Sequence, residues 1–390
     1  MKRIGDKETI YVMEVLASQF RSSAGGLMTK RLEDAFASKF GARFAVSFDN
    51  GTSTMHAALA AKGIGNGDEV IVPPLTMAST SLAVLHANAI PVFADIDPDT
   101  WTISPDSIEK CITPRTKAII PVSIYGLAPD MDAIMDIADS YNLFVLEDDA
   151  QCFLGRYKKR MVGTIGHASS FSFQSSKHMT SGEGGMIITD DPDLADSIRR
   201  FNSLGYKAVG ASGGKIRKQD IQSPDYERHI SVGWNYRLSE LCAAVALAQL
   251  ERLDQLVEMR IKCAELYQKA AQGCPWLIPQ EVPDHSVHSY WSYVLKLDNN
   301  SEFTWHDFRD KYIELGGDGI YGAWQLTYLE PVFKNNKLSK TQTQRFQKGL
   351  CPFAEKIQPR LLQFKTNYFD TETIQVKAEA LTKTIDFFGV

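Results

Sequence analysis

The chain predicts an α/β architecture, with a mostly parallel central sheet, helices on both faces and a smaller C-terminal α+β domain. Between residues 44 and 146, short β-branched or apolar runs bounded by turn residues alternate with helical stretches, the pattern of a parallel sheet built from strand–helix–strand units. Around residues 153–173 that alternation gives way to a hairpin pattern, and past the Ala/Leu-rich stretch ending near 257 the composition changes again. The 390 residues suffice for a large domain over 1–255 and a smaller one over 256–390.

The elements follow in order. Phe44-Ala45-Val46-Ser47-Phe48 reads as a strand and 53–62 as an alanine-rich helix. Residues 69–72 form a short β-branched strand and 79–88 a helix. Strands at 91–94, 118–122 and 143–146 are separated by helices at 104–111 and 132–142. Right-handed crossovers place the loops after these strands along one edge of the sheet, where ligands bind. Residues 155–163 read as a hairpin, and 169–173 and 185–189 as two more strands. The polar, Gly-rich stretch 206–232, with Lys207, Lys215, Arg217 and Lys218, reads as a long loop, either a surface insertion or a functional segment. Residues 238–257 read as one long helix, apolar on most faces and therefore buried. A strand at 290–297, a helix at 305–315 and a final helix from Thr373 complete the chain. There is no internal repeat and no low-complexity tract.

Bulk properties exclude several functions. Hydrophobic residues make up 44% and charged residues 23%, and the net charge is −5, so there is no basic footprint for nucleic acid. Six cysteines are scattered without a C-x-x-C pair, which suggests neither a zinc nor a redox site but reduced thiols in a cytosol. The charged N-terminus lacks an apolar signal core, and no run approaches the length of a membrane span. The expectation is a cytoplasmic protein that binds neither membrane nor nucleic acid.

The chemistry concentrates around Lys177. The segment Ser172-Phe173-Gln174-Ser175-Ser176-Lys177 is followed by Gly182-Glu183-Gly184-Gly185, and Glu147-Asp148-Asp149-Ala150-Gln151 ends an apolar run upstream. A lysine able to form an imine and an acid opposite a pyridine nitrogen are the two groups that pyridoxal phosphate (PLP) requires. Asp148 stands at the C-terminal end of a central strand, though the three acids could equally cap the next turn. Gln151 could donate to a ring hydroxyl. Asn50-Gly51-Thr52-Ser53 follows a strand and opens a helix, which suits a phosphate; Thr52 or Ser53 could equally be a simple N-cap. His178 is set aside because neighbours on a turn rarely face the same ligand. His285-x-x-His288 has a metal-like spacing but no third ligand nearby.

These residues, together with 65–73, 91–97, 113–122 and Gly233-Trp234-Asn235-Tyr236-Arg237-Leu238, resemble the DegT/DnrJ-type PLP-dependent sugar aminotransferases, of the aspartate aminotransferase-like fold type I, from about residue 10 to 385. The resemblance implies that Lys177 is the catalytic lysine bonded to the cofactor, that Asp148 meets the pyridine nitrogen and Gln151 the ring hydroxyl. It implies that Thr52, Ser53 and Ser172 bind the phosphate, and that Asn235 reaches the phosphate of a partner subunit in a homodimer with shared active sites. L-Glutamate would supply the amino group through the pyridoxamine 5'-phosphate form, and an oxidised sugar would accept it. Three positions depart from the family pattern: Met77 where an aromatic usually stacks on the ring, Gln174 where many members have histidine, and 321–328 without the histidine of many nucleotide-sugar members. One branch replaces the lysine by histidine and becomes a dehydratase; Lys177 at the aligned position favours transamination. Within the family the chain looks most like members that convert 8-oxo-Kdo to 8-amino-8-deoxy-Kdo for lipopolysaccharide. The basic residues Lys215 to Lys218 would suit an anionic sugar acid or a nucleotide diphosphate equally.

Overall fold

A computed structural model describes residues 2–20, 28–207, 222–298, 302–335, 344 and 346–389. The basic residues Lys215, Arg217 and Lys218 lie outside the described residues.

Two helices, α1 (Asp6–Ala17) and α2 (Met28–Phe40), precede strand β1 (Phe44–Phe48). Then helix and strand alternate: α3 (Gly51–Ala61), β2 (Glu69–Val72), α4 (Ser79–His86), β3 (Ile90–Phe93), α5 (Pro105–Cys111), β4 (Thr116–Ile119), α6 (Met131–Tyr141) and β5 (Phe144–Asp148). A short hairpin, β6 (Arg156–Tyr157) and β7 (Arg160–Met161), leads to β8 (Ala168–Ser172), β9 (Gly185–Thr189) and α7 (Pro192–Asn202). The helix starts are written in the sequence. The side chains of Asn50, Ser104, Asp130 and Asp191 each accept a hydrogen bond from a first-turn N–H, and proline follows Ser104 and Asp191 at the first helical position.

The main sheet has seven strands in the order β1-β9-β8-β5-β4-β2-β3. From β8 through β3 the neighbours are parallel, and only β9 runs against the others. The central strands are buried on both faces, as helix-covered parallel strands must be. Even Glu69 is buried on β2, because Thr113 and Arg115 donate to its carboxylate. The loops leaving β5 and β8 therefore emerge side by side at one sheet edge, and the β8–β9 connection over 173–184 lies there.

The C-terminal part comprises α8 (Glu240–Leu250), α9 (Leu253–Ala271), β10 (Leu277–Pro279), β11 (Ser286–Val287), β12 (Ser292–Leu297), α10 (Trp305–Glu314), β13 (Tyr321–Gly322), α11 (Pro331–Asn335), α12 (Pro352–Ile357), β14 (Leu361–Lys365) and α13 (Thr371–Phe388). Strands β10-β12-β14-β13 form an antiparallel sheet, and β11 adds a third strand to the β6–β7 hairpin. α9, α10 and α13 cover the four-stranded sheet with a separate apolar cluster around Tyr267, Phe308 and Phe364.

The structure corrects several element boundaries. The helix expected over 238–257 is two helices, broken where Arg252 leaves helical geometry at φ −122°, ψ 19°. The break lets Gln249 and Arg252 donate to the main chain of Lys2 and Arg3, which anchors the N-terminal segment. The strands expected at 91–94 and 118–122 begin earlier, at Ile90 and Thr116. α1, α2 and α7 were not anticipated. No helix among the described residues is long and apolar enough to cross a membrane.

Candidate active site

A cavity of about 400 Å³ opens at the sheet edge between β5, β8 and the start of α3. Asp148 contributes from the last residue of β5 and Ser172 from the last of β8, while Gly51 and Thr52 contribute from the first turn of α3. Lys177 enters from the β8–β9 loop, whose turn is tied by Lys177 N–H donating to Gln174 O at 3.0 Å and Ser181 N–H to Phe173 O at 3.0 Å. The indoles of Trp291 and Trp324, stacked with ring centres 5.8 Å apart, close the side facing the C-terminal sheet. They separate this cavity from a second one of about 380 Å³, lined by Arg260, Tyr321, Gln363, Lys365 and Asn367.

The electrostatics suit a reactive amine. Burial pushes the Lys177 ammonium down to about 8, against the opposing pull of Asp148, and the Arg260 charge lowers it further. Its Nζ lies over the Trp291 ring at 4.8 Å, and no described residue hydrogen-bonds to it. Burial raises Asp148, while Thr80, whose Oγ1 donates at 2.8 Å, and the Ala150 N–H at 3.2 Å favour its charged form. The two flanking acids are occupied elsewhere. Glu147 accepts from the N–H groups of Gly163, Ile165 and Gly166, and Asp149 from the hydroxyls of Ser123 and Ser169. Only Asp148 of the three lines the cavity.

Thr52, Met77, Asp148, Gln151, Ser172, Gln174 and Lys177 all line this cavity; Ser53 and Asn235 do not. Ser53 is buried, its N–H donates to Asn50 Oδ1 at 2.8 Å, and its hydroxyl is engaged with Asp49. The N-cap of α3 is thus Asn50, which corrects the reading of Thr52 or Ser53 as the cap. Asn235 is exposed and pairs through its backbone with Ser203. Gln174 spends its amide within the loop, accepting from the Ser176 N–H and hydroxyl and donating to Ser175. Met77 is 48% exposed at the cavity mouth. His178 is buried away from the cavity, with Nε2 on Ser289 O at 2.9 Å. His288 bonds Gln280 and stacks on Tyr290, while His285 meets the edge of Tyr157.

Trp291, Trp324, Thr76, Ser79 and Glu183 also line the cavity and were not anticipated. The tryptophans come from a part of the chain more than a hundred residues distant, so no local pattern marks them. Tyr125 was also missed. Its N–H donates to Gln151 Oε1 at 2.8 Å from a left-handed backbone, φ 61°, a conformation rare for so bulky a residue. This bond fixes the Gln151 amide and leaves its NH₂ for the cavity.

The cavity fits PLP by its donor set. Among the described residues, the Gly51 and Thr52 N–H groups have no protein acceptor, so the positive end of α3 is open to a phosphate. A Cβ on Gly51 would stand 3.0 Å from the Ser172 Cβ, which marks how closely the cradle is drawn. A carboxylate for a ring N–H, a free amide for a ring hydroxyl and an uncommitted amine complete the set.

The sequence matches the DegT/DnrJ/EryC1/StrS aminotransferase family over residues 2–375. It is 42% identical over 295 residues to the spore coat polysaccharide biosynthesis protein SpsC of Bacillus subtilis, covering 76% of this chain and 74% of that protein. It is 38% identical over 311 residues to GDP-perosamine synthase of Escherichia coli O157:H7, covering 79% and 80%. The crystal structure of an aminotransferase from Psychrobacter cryohalolentis superposes with a TM-score of 0.87 at 28% identity, covering 99% of this chain and 98% of that one.

Proposed function

The chain belongs to the DegT/DnrJ/EryC1/StrS aminotransferase family, with fold type I and PLP dependence, and from that premise we propose that it moves the amino group of L-glutamate onto an oxidised, anionic sugar. The best reading of the acceptor is 8-oxo-Kdo, giving 8-amino-8-deoxy-Kdo for lipopolysaccharide. The observation that carries an anionic sugar is the second cavity beyond Trp291 and Trp324. Its aromatic walls suit the apolar faces of a sugar ring, and Lys365 and Arg260 supply positive charge. A nucleotide-linked keto-sugar is the second reading, favoured by the similarity to GDP-perosamine synthase.

When bound, PLP supplies a carbonyl that takes up the amino group and a ring that draws electrons from the reacting carbon. The protein's residues do the rest. The α3 N-terminus, Thr52 and Ser172 would hold the phosphate. Asp148, whose charged form Thr80 and Ala150 favour against its burial, would hold a proton on the ring nitrogen. The Gln151 amide would donate to the ring hydroxyl, and Met77 would lie against the ring. Lys177 Nζ takes the proton leaving the donor's α-carbon and returns it at the other end of the transfer. The same reading includes a cytoplasmic homodimer in which Asn235 completes the partner's phosphate site, and a division near residue 255 into a large and a small domain.

The test is the visible spectrum of the purified protein with PLP. L-Glutamate is expected to bleach the cofactor band and release one equivalent of 2-oxoglutarate. Lys177→Ala is expected to bind PLP yet lose turnover by about two to four orders of magnitude. Full activity of that variant would overturn the assignment. Amine transfer to 8-oxo-Kdo but not to a nucleotide-linked 4-keto sugar supports the first reading of the acceptor; the reverse supports the second.

A further inference from the structure

Beneath the reactive lysine, two guanidiniums converge on three consecutive carbonyls. Arg3 donates to Ser175 O. Arg260, on α9 and only 2% exposed, donates through Nη2 to Ser176 O at 2.7 Å and Lys177 O at 2.8 Å. Its other nitrogen, Nη1, donates to Trp291 O at 2.8 Å and Thr366 Oγ1 at 3.1 Å. Trp291 returns a bond from its indole N–H to Ser176 O at 3.1 Å. One buried fork therefore ties the lysine loop of the large sheet to the residue preceding β12 and to the residue following β14.

This cation is unusual in what it lacks. A buried charge is normally paired, yet among the described residues no carboxylate forms an ion pair with Arg260. Every acceptor it has is neutral. Carbonyl oxygens satisfy the donors but leave the net charge in place. The charged groups facing Lys177 are Asp148 on β5, Glu183 in the turn before β9, and Arg260 on α9, with the Trp291 ring alongside. The two acids favour the ammonium, and Arg260 opposes them.

We infer that Arg260 is a positioning residue of the transamination site: its fork fixes the main chain of Ser176 and Lys177, and its unneutralised charge, buried beside the lysine, offsets part of the attraction of Asp148. Burial and the Arg260 charge together enlarge the free-amine fraction that the neighbouring carboxylate reduces, and the free amine is the nucleophile and base. The inference rests on Lys177 being the reactive amine.

The test uses the cofactor-free full chain, trace-acylated across a pH series and analysed by mass spectrometry of the peptide carrying Lys177. In the parent protein the labelling midpoint is expected at about 8. In Arg260→Gln the midpoint rises, and labelling at neutral pH slows by about three- to tenfold. Arg260→Lys restores the midpoint because the charge returns. Lacking the two-pronged geometry, it still speeds hydrogen exchange at the amides of 176–178. Added PLP must block labelling of Lys177 in the parent; if it does not, the assignment of Lys177 itself fails. If PLP blocks labelling and Arg260→Gln folds with the parent's midpoint, the role given to Arg260 is overturned. Should Arg260→Gln not fold, Arg260→Lys decides. Faster exchange at 176–178 with a retained midpoint supports the role, and unchanged exchange refutes it.

Discussion

Gly185 links the sheet to the phosphate end of the site, and replacing it by alanine tests that link. It is the first residue of β9, paired with Phe48 on β1 and Ser172 on β8. A Cβ there would stand 2.7 Å from both the carbonyl carbon and oxygen of Asn50, and 2.9 Å from the nitrogen of Gly51. Ordinary contact begins at 3.4 Å, so the deficit is about 0.7 Å. All three atoms are backbone, so no rotamer change relieves it. Either β9 withdraws from β1 and β8, or the start of α3 lifts from the sheet, and the second route displaces the N–H groups that await the phosphate. Overpacking of this kind costs about 1–3 kcal/mol, and the upper end is expected because nothing flexible yields. The cofactor-free protein should lose that stability in thermal unfolding, and the dissociation constant for PLP, read from the visible band, should rise at least about tenfold, or about 1.4 kcal/mol. Gly63→Ala is the control at the other end of α3. Gly63 has φ +70° and nothing within 4 Å of a Cβ, so it should cost about 1–2 kcal/mol of stability through backbone strain and leave PLP affinity alone. A Gly185→Ala protein that matches the parent in both stability and affinity would refute the argument that close packing of β9 seats the phosphate turn.

Three further outcomes are expected. Thr80→Val removes the hydroxyl donating to Asp148 Oδ2; PLP binding should weaken by about 1–2 kcal/mol, more at pH 6 than at pH 8, since the carboxylate then protonates more readily. Affinity that is unchanged at both pH values would count against Asp148 as the ring-nitrogen partner. Asp149 is held well above the usual carboxylate range by burial and by Glu147. A carboxyl raised in the folded state binds more protons than its unfolded counterpart, so its contribution falls as pH rises through the range above about 4. Asp149→Asn should therefore gain stability relative to the parent as pH increases from 5 to 8, and a difference that is flat with pH would sink the idea. Finally, Cys152, Cys263 and Cys351 are buried, with burial pushing the Cys263 thiol up to about 12. A thiol reagent should label at most Cys111, Cys242 and Cys274 before unfolding, and rapid labelling of all six would contradict the packing.

What the sequence disclosed and what it withheld divide along a physical line. The parallel sheet was legible because each strand is a short apolar run bounded by turn residues and separated from the next by a helical stretch. The placement of Asp148 and Lys177 followed, because the ends of neighbouring parallel strands share one edge. The break between α8 and α9 was hidden because no Pro or Gly marks it at 250–253, and the main chain of Lys2 and Arg3 that it serves lies about 250 residues away. Thr52 and Ser53 are adjacent hydroxyls of one helix start, and local sequence does not say which faces the cavity; Thr52 lines it, while the Ser53 hydroxyl meets Asp49. Trp291, Trp324 and Arg260 carry no local mark, since each reaches the lysine loop from an element whose own pattern reports only its own packing. Arg260 on a helix reads as a surface charge until its acceptors are known, and its acceptors are carbonyls, which every sequence contains. Groups that act through the backbone of a distant loop are therefore the last to be legible from sequence, and here they include the buried cation that faces the reactive amine beside Asp148.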